Sequence, residues 1–311
     1  MRPVTPPRCQ HPAGIIGLLL IALFGALVRP ELLAAPATDV RTNLEFAVIG
    51  DVRLTLDTYV PQEGPAPFPT IVWVHGGGFV SGDKKEFPRT LLDPILASGF
   101  AMVSVNYRLA PKHPFPACVD DVEAAIAFIK AHARSWKLDP DKLILMGESA
   151  GGLIVSVVGG RARPENRVAG VVSLFGEHDL VTRVQENPCI MDGRAEPMPA
   201  GGCLSPGLKA LLNITAATQE AMPIVQAASA VSYVRKDMPP YLLIHGTREF
   251  HVPYEQAVSM HDRMKRKGAD CTLLSILGGS HGTGGWEKLP QAREYKEETL
   301  AWLRTKLRLQ P

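Results

Sequence analysis

Two hydrophobic patterns, each typical of a kind of β-strand, occur along the chain. In Val52–Tyr59 apolar and polar residues alternate, as in a strand with one exposed face. We expect Leu44–Val48 to pair with it in antiparallel fashion across the turn at Gly50 and Asp51. The second pattern is a short, wholly apolar run, typical of a strand buried on both faces of a parallel sheet. Six such runs follow: Thr70–Val74, Ala101–Val105, Leu143–Met146, Val168–Leu174, Tyr241–Ile244 and Thr272–Leu277.

Helical patterns separate most of these runs. Residues 117–133 have apolar side chains at helical spacing after a proline, and residues 254–267 follow another proline and end in basic residues. Alternating strands and helices predict an α/β fold with a mostly parallel central sheet flanked by helices. The stretch 181–240 interrupts this alternation without a clear strand, apart from an apolar helical piece near 208–222. We expect a lid or pocket wall there, with a plain surface excursion as the alternative.

The first 37 residues have the features of an export signal. Two arginines, Arg2 and Arg8, precede an uncharged apolar run, Gly14–Val28, and small residues follow it at 34–37. We expect cleavage near Ala35 or Ala37 and an exported protein, with an uncleaved anchor as the alternative. The formal net charge of +2 lies wholly on this leader, so residues 38–311 are formally neutral. This balance predicts no nucleic-acid partner and, once the leader is removed, no membrane partner.

Export also affects the interpretation of the cysteines. An oxidising compartment permits disulfides, and Cys189 and Cys203 bracket a loop-like stretch rich in Pro and Gly. We therefore predict a Cys189–Cys203 disulfide, while two free thiols remain the alternative, because sequence alone does not fix connectivity. No spacing of Cys and His suggests a metal site, and no cofactor is expected.

A candidate nucleophile lies in the G-x-S-x-G motif formed by residues 147–151. An apolar strand runs straight into the motif, and a segment able to start a helix follows it. The motif requires this strand–turn–helix context, which exposes Ser149 at the end of a central strand. A serine nucleophile also needs donors for the oxyanion of the tetrahedral intermediate. The H-G-G-G run at 75–78 supplies them, and we assign the amides of Gly77, Gly78 and Ala150 to this role.

The general base is expected to be a histidine late in the chain. His281 follows the last apolar strand, on a loop in the expected order after the nucleophile and the acid. The acid is expected on the loop after Tyr241–Ile244, where Glu249 is the carboxylate present. Asp179, at the end of another strand, and Asp262, on a helical face, are the rival acids.

These motifs together carry a family resemblance. HGGGF at 75–79, NYRLAPKHPFPA at 106–117 and GESAGG at 147–152 resemble the hormone-sensitive-lipase-type esterases of the α/β-hydrolase superfamily. The C-terminal half also resembles small bacterial acetyl-xylan and feruloyl-type esterases, whose HGTxD motif carries an aspartate where this chain has Glu249. The resemblance implies an α/β-hydrolase fold. It also places Asp121 in the helix after the proline-rich loop, where its expected role is to brace either that loop or the start of the helix.

The expected activity is therefore hydrolysis of a carboxylic ester through Ser149, His281 and Glu249, with short acyl chains implied by the resemblance alone. A cell-wall deacetylase or feruloyl esterase is one alternative. A prolyl-oligopeptidase-type peptidase is another, although it would need an extra domain for which the chain has no room. A non-catalytic relative that binds a ligand is the third, disfavoured because both the serine and the histidine are present. The oligomeric state is not predicted.

Overall fold

A computed structural model describes residues 37–161, 163–185, 189–191, 194–196 and 204–309. Its strands are β1 (Thr38–Ile49), β2 (Val52–Pro61), β3 (Phe68–Val74), β4 (Ala101–Val105), β5 (Leu138–Glu148), β6 (Gly170–Leu174), β7 (Cys189–Met191), β8 (Arg194–Glu196), β9 (Tyr241–Gly246) and β10 (Cys271–Ile276). Its helices are α1 (Arg89–Ala97), α2 (Ala117–His132), α3 (Ala150–Arg161), α4 (Leu180–Gln185), α5 (Pro206–Leu212), α6 (Met222–Ala228), α7 (Glu255–Arg266), α8 (Thr283–Trp286) and α9 (Ala292–Lys306).

Eight strands form one sheet in the order β1-β2-β4-β3-β5-β6-β9-β10. β1 pairs antiparallel with β2, and β2 antiparallel with β4, whereas β4, β3, β5, β6, β9 and β10 pair in parallel. The predicted hairpin and all six predicted parallel strands are present. The expectation of burial on both faces is wrong for β10, which lies at the edge of the sheet and has only its first and last residues buried. The carboxyl ends of the parallel strands share one edge of the sheet, so the loops that follow them lie together.

Two apolar layers cover the sheet. One contains buried side chains of α2, α3, α5, α6 and α7, and the other contains those of α1, α8 and α9. Helix α3 is buried from Ala150 to Gly160, which explains why it is apolar all round rather than on one face. The fold is that of the α/β hydrolases, as the sequence predicts.

The stretch 181–240 differs from its sequence prediction in two ways. It contains a short two-stranded sheet of its own, β7 with β8, where no clear strand is expected. The helical piece expected near 208–222 is instead two helices, because α5 ends at Asn213 in a left-handed conformation and α6 begins anew at Met222 and Pro223.

Candidate active site

Ser149 lies on the turn between β5 and α3 and has a φ of +50°, in the left-handed region that side chains rarely adopt. Its amide donates to the carbonyl of Leu174 on β6 at 2.9 Å. The glycines on either side make this turn sterically accessible. A Cβ atom on Gly147 would lie 2.6 Å from the carbonyl oxygen of Gly151, and one on Gly151 would overlap the carbonyl oxygen of Val74. The sequence thus places a serine where the chain bends too tightly for larger neighbours.

Three predicted residues form a hydrogen-bonded line at the sheet edge. The Nε2 atom of His281 lies 3.1 Å from Oγ of Ser149, and its Nδ1 atom lies 2.7 Å from Oε2 of Glu249. The side chain of Glu249 is wholly buried, whereas that of His281 is 27% exposed. A carboxylate oxygen can only accept, so the Nδ1 atom carries the proton and Nε2 is left free to accept from the serine hydroxyl.

The carboxylate of Glu249 is held in its charged form. Burial raises the pKa of Glu249, but the hydrogen bond from His281, the electrostatic attraction of that ring and the amide of His251 together lower it by more, so the net pKa lies below the ordinary value. The amide of His251 donates to Oε1 at 2.7 Å, and the other oxygen faces His281. Both oxygens of the carboxylate are therefore satisfied by groups that fix its orientation.

The rival acids bind elsewhere. Asp179 begins α4 and accepts from the amide and hydroxyl of Thr182, from Ser259 at 2.7 Å and from Arg263 at 3.3 Å. Asp262 lies 3.0 Å from Nδ1 of His261. The structure therefore brings Glu249, and neither aspartate, to His281.

The glycine-rich loop after β3 lies against the serine turn. A Cβ atom on Gly76 would lie 3.5 Å from Cβ of Ser149, and Ala150 begins α3 directly after the serine. Gly77 and Gly78 have φ values of +108° and +59°, which glycine alone adopts without strain. The three predicted oxyanion donors thus lie on the two segments next to the serine hydroxyl.

Two further side chains fix this loop from behind. Nδ1 of the buried His75 lies 2.7 Å from the carbonyl of Gly76, and the Tyr107 ring stacks on the His75 ring with centroids 4.3 Å apart. Burial lowers the pKa of His75, so its ring is neutral at pH 7. The His75 side chain therefore contacts the backbone of its own loop and lies beneath the Tyr107 ring.

Residues 56–264 match the family model BD-FAE, which is two thirds of the chain. The chain belongs to the BD-FAE family. It is 28% identical over 246 residues to Esterase LipC and 26% identical over 211 residues to the probable carboxylic ester hydrolase LipM, both of Mycobacterium tuberculosis (strain ATCC 25618 / H37Rv). These matches cover 75% and 64% of this chain but 57% and 45% of the relatives, so the chain spans about half of their length.

Solved structures share the fold of this BD-FAE protein. A truncated carbohydrate esterase from gut microbiota superposes with a TM-score of 0.71 at 24% identity, over 88% of this chain and 99% of that one. A bacterial heroin esterase superposes with a TM-score of 0.64 at 23% identity, over 87% of this chain and 84% of that one. Both similarities concern the architecture.

Sequence reasoning missed Phe175, whose side chain packs against the imidazole of His281. Its buried ring meets the His281 ring edge-on, with centroids 4.8 Å apart, and also contacts Trp286 at 5.4 Å. The indole of Trp286 donates to the carbonyl of Ser280 at 2.7 Å, next to the histidine. Phe175 has a φ of +39°, which is rare for an aromatic residue, but no pattern in the sequence indicates it.

Glu148 is the second residue that sequence reasoning missed. It precedes Ser149, and burial raises the pKa of its carboxyl to about 7, although the charge of His281 opposes this. A Cβ atom on Gly76 would lie 3.4 Å from its Cγ, so the side chain packs against the glycine-rich loop. A group that titrates near neutral pH therefore adjoins the candidate nucleophile.

The remaining predictions meet the structure in part. Cys203 and the side chain of Cys189 lie outside the described residues, so the predicted disulfide stays a prediction; Cys118 and Cys271 are free and buried.

Within the described ranges, no group of His, Cys, Asp and Glu is arranged to hold a metal ion. Nor does any helix in those ranges have the length and apolar character needed to cross a membrane. Asp121 accepts from Arg108, bracing the loop before α2.

Proposed function

We propose that the protein is a serine carboxylic ester hydrolase that acts on short-chain acyl esters. The observation that carries this proposal is the continuous line from Ser149 through His281 to the buried Glu249, with distances of 3.1 and 2.7 Å. Such a line activates a hydroxyl that is a weak nucleophile alone. Two relatives of this BD-FAE protein are described as an esterase (LipC) and a probable carboxylic ester hydrolase (LipM), which supports the same class of reaction.

The proposed reaction has two halves. His281 removes the hydroxyl proton of Ser149 as Oγ attacks the ester carbonyl, and Glu249 stabilises the imidazolium that forms. The amides of Gly77, Gly78 and Ala150 bind the oxyanion, His281 protonates the leaving alkoxide, and an acyl-serine remains. Water then attacks the acyl-serine with the same base, which releases the acid and restores the hydroxyl.

The setting of the reaction is also part of the proposal. The leader at 1–37 supports export to the periplasm or outside the cell, where small-molecule esters would be the substrates. The stretch 181–240 supplies α5, whose N-terminal turn packs against the glycine-rich loop, which supports its role as a pocket wall. The formally neutral domain supports an uncharged ester over an anionic partner.

The test is the hydrolysis of p-nitrophenyl acetate by the wild-type protein and by Ser149→Ala. The wild type should turn the ester over and react with a fluorophosphonate probe, and the variant should do neither while keeping its unfolding temperature. Full activity in the variant would refute the assignment of Ser149.

A substrate panel then tests the short-chain claim. Rates on acetyl, butyryl, octanoyl and feruloyl esters should fall with acyl length beyond butyryl. A preference for octanoyl or feruloyl esters would refute this part of the proposal while leaving the triad in place.

A further inference from the structure

The glycine-rich loop is held by hydrogen bonds at every carbonyl but one. Three successive glycines leave this backbone free to rotate, so outside contacts must fix it. Within the described residues, the carbonyl of Gly78 accepts no hydrogen bond. The other four carbonyls of 75–79 do: the Tyr107 hydroxyl donates to His75 and Gly76, the amides of Val80 and Ser81 donate to Gly77, and the amide of Ala110 donates to Phe79.

Gly207 on α5 fills the position where that hydrogen bond is missing. A Cβ atom on Gly207 would overlap the carbonyl oxygen of Gly78 and would lie 3.3 Å from its carbonyl carbon. Because glycine has a hydrogen in the Cβ position, that hydrogen points at the oxygen in the manner of a Cα–H···O contact. The backbone of α5 therefore touches the loop where no larger residue would fit.

Helix α5 is anchored at both ends, so its backbone can limit the movement of the glycine-rich loop that it contacts. Ser205 caps its start by accepting from the amide of Leu208 at 3.2 Å, and the side chains of Leu208, Leu211 and Leu212 are buried in the core. At its other end the carbonyl of Leu211 accepts from the amide of Phe115 at 2.7 Å. The contact at Gly207 thus joins Gly78 to the core of the domain.

We infer that Gly207 is a positioning residue that sets the oxyanion hole by fixing the Gly78 peptide. The inference rests on the proposed function, because it concerns the hole that the ester oxygen would enter. The Gly78 carbonyl carbon and the amide nitrogen that is a proposed oxyanion donor are bonded to the same Cα atom, and a Cβ on Gly207 would also lie 3.5 Å from this Cα. A side chain at position 207 would therefore push the Gly78 Cα aside and move the donor with it. The stretch 181–240 is then part of the catalytic apparatus as well as a pocket wall.

The experiment replaces Gly207 with alanine and measures p-nitrophenyl acetate hydrolysis beside its thionoester counterpart, in which sulfur replaces the carbonyl oxygen. Sulfur accepts hydrogen bonds weakly, so the ratio of the two rates reports the strength of the oxyanion hole. We expect kcat/KM for the oxygen ester to fall about tenfold or more, and the ratio to fall with it. The pH profile should stay unchanged, because the triad is untouched.

Lys209→Ala is the matched control. Lys209 is on the same helix and, among the described residues, makes no hydrogen bond or ion pair with the glycine-rich loop, so both rates should remain those of the wild type. Loss of activity in Gly207→Ala with an unchanged rate ratio would overturn the inference, since it would show a defect other than in the oxyanion hole. Wild-type activity in Gly207→Ala would overturn it as well.

A second variant covers the case in which Gly207→Ala does not fold. Ser205→Ala removes the cap of α5 without adding an atom near Gly78, and the rate ratio should fall about threefold as the helix start loosens. An unchanged ratio would overturn the inference. An inactive wild-type protein would instead refute the proposed function, so the two failures are distinguishable.

Discussion

Glu249 occupies the position of the aspartate in the HGTxD motif and has a longer side chain. One oxygen of its carboxylate meets His281, and the amide of His251 donates to the other. The sequence predicts this residue because it is the carboxylate on the right loop. Its complete burial, which makes its charge effective, depends on tertiary packing and is not visible in the sequence.

Glu249→Gln should lower kcat by about 10³- to 10⁴-fold, because the amide cannot stabilise the imidazolium and can select the wrong tautomer of His281. Glu249→Asp should keep part of the activity, since the charge remains but its reach shortens. Steady-state hydrolysis of p-nitrophenyl acetate checks this. Asp262→Asn serves as the control and should match the wild type. An unaffected Glu249→Gln enzyme would refute the assignment of Glu249 as the acid.

Glu148 should make stability fall as the pH rises from about 4.5 to about 7. Its folded-state pKa of about 7 lies above the ordinary value of 4.5, so the folded state favours the neutral carboxyl, and stability is lost as the pH rises through 7. Glu148→Gln should remove this loss and unfold with about 2 kcal/mol more free energy at pH 8, with little change at pH 4.5. Urea denaturation at the two pH values measures it, and equal effects at both would contradict the burial argument.

At the scale of elements, the strands are the most predictable part of the molecule. β4 begins and ends where its apolar run does, because the strand is buried at every position and its one polar side chain, Ser104, donates to the carbonyl of Lys84. The amphipathic helix α9 is absent from the sequence-based prediction, although its buried residues Tyr295, Thr299 and Trp302 recur at helical spacing. The break between α5 and α6 depends on Asn213 adopting a left-handed conformation, which its sequence context does not determine.

The junction of β5 with α3 should tolerate no Cβ atom at its centre. Gly151→Ala should destabilise the protein by about 3 kcal/mol, because the methyl group would overlap the Val74 carbonyl and push α3 off the sheet. Gly284→Ala is the matched control, since a Cβ there meets no atom within 4 Å and its φ is ordinary; it should leave stability equal or slightly raised. Thermal unfolding of the two variants beside the wild type decides the matter, and equal midpoints would contradict the packing argument.

At the scale of the whole molecule, parallel pairing gathers distant segments into one site. Ser149, Glu249 and His281 follow β5, β9 and β10, and their meeting at one edge follows from the predicted topology. The sequence could not show which polar side chains are buried beside these strands. His178 and His245 are buried there, and burial lowers their pKa values to about 3 and about 4.

These two histidines should weaken the whole fold in mild acid. Both pKa values lie below the ordinary 6.5, so their neutral rings contribute stability that is complete above pH 6.5 and is lost as the pH falls towards 4. The loss should approach about 1.4 kcal/mol per pH unit for each ring. His245→Gln keeps a donor for the Val252 carbonyl and removes one titration. The stability lost between pH 6 and pH 5 in urea unfolding should therefore be about 1 kcal/mol smaller in the variant than in the wild type. An unchanged slope would exclude His245 as the acid-sensitive group.

The direction of β1 bears on how the protein can be coupled to a support. Thr38 pairs with Pro61, whereas Leu56 is level with Val105 at the carboxyl edge that carries the serine turn. The five residue steps of β2 between these levels span roughly 17 Å along the strand. A bead or carrier attached at residue 37 would therefore lie at the edge of the sheet opposite the serine turn. The loops that carry Ser149 would then face the surrounding solution.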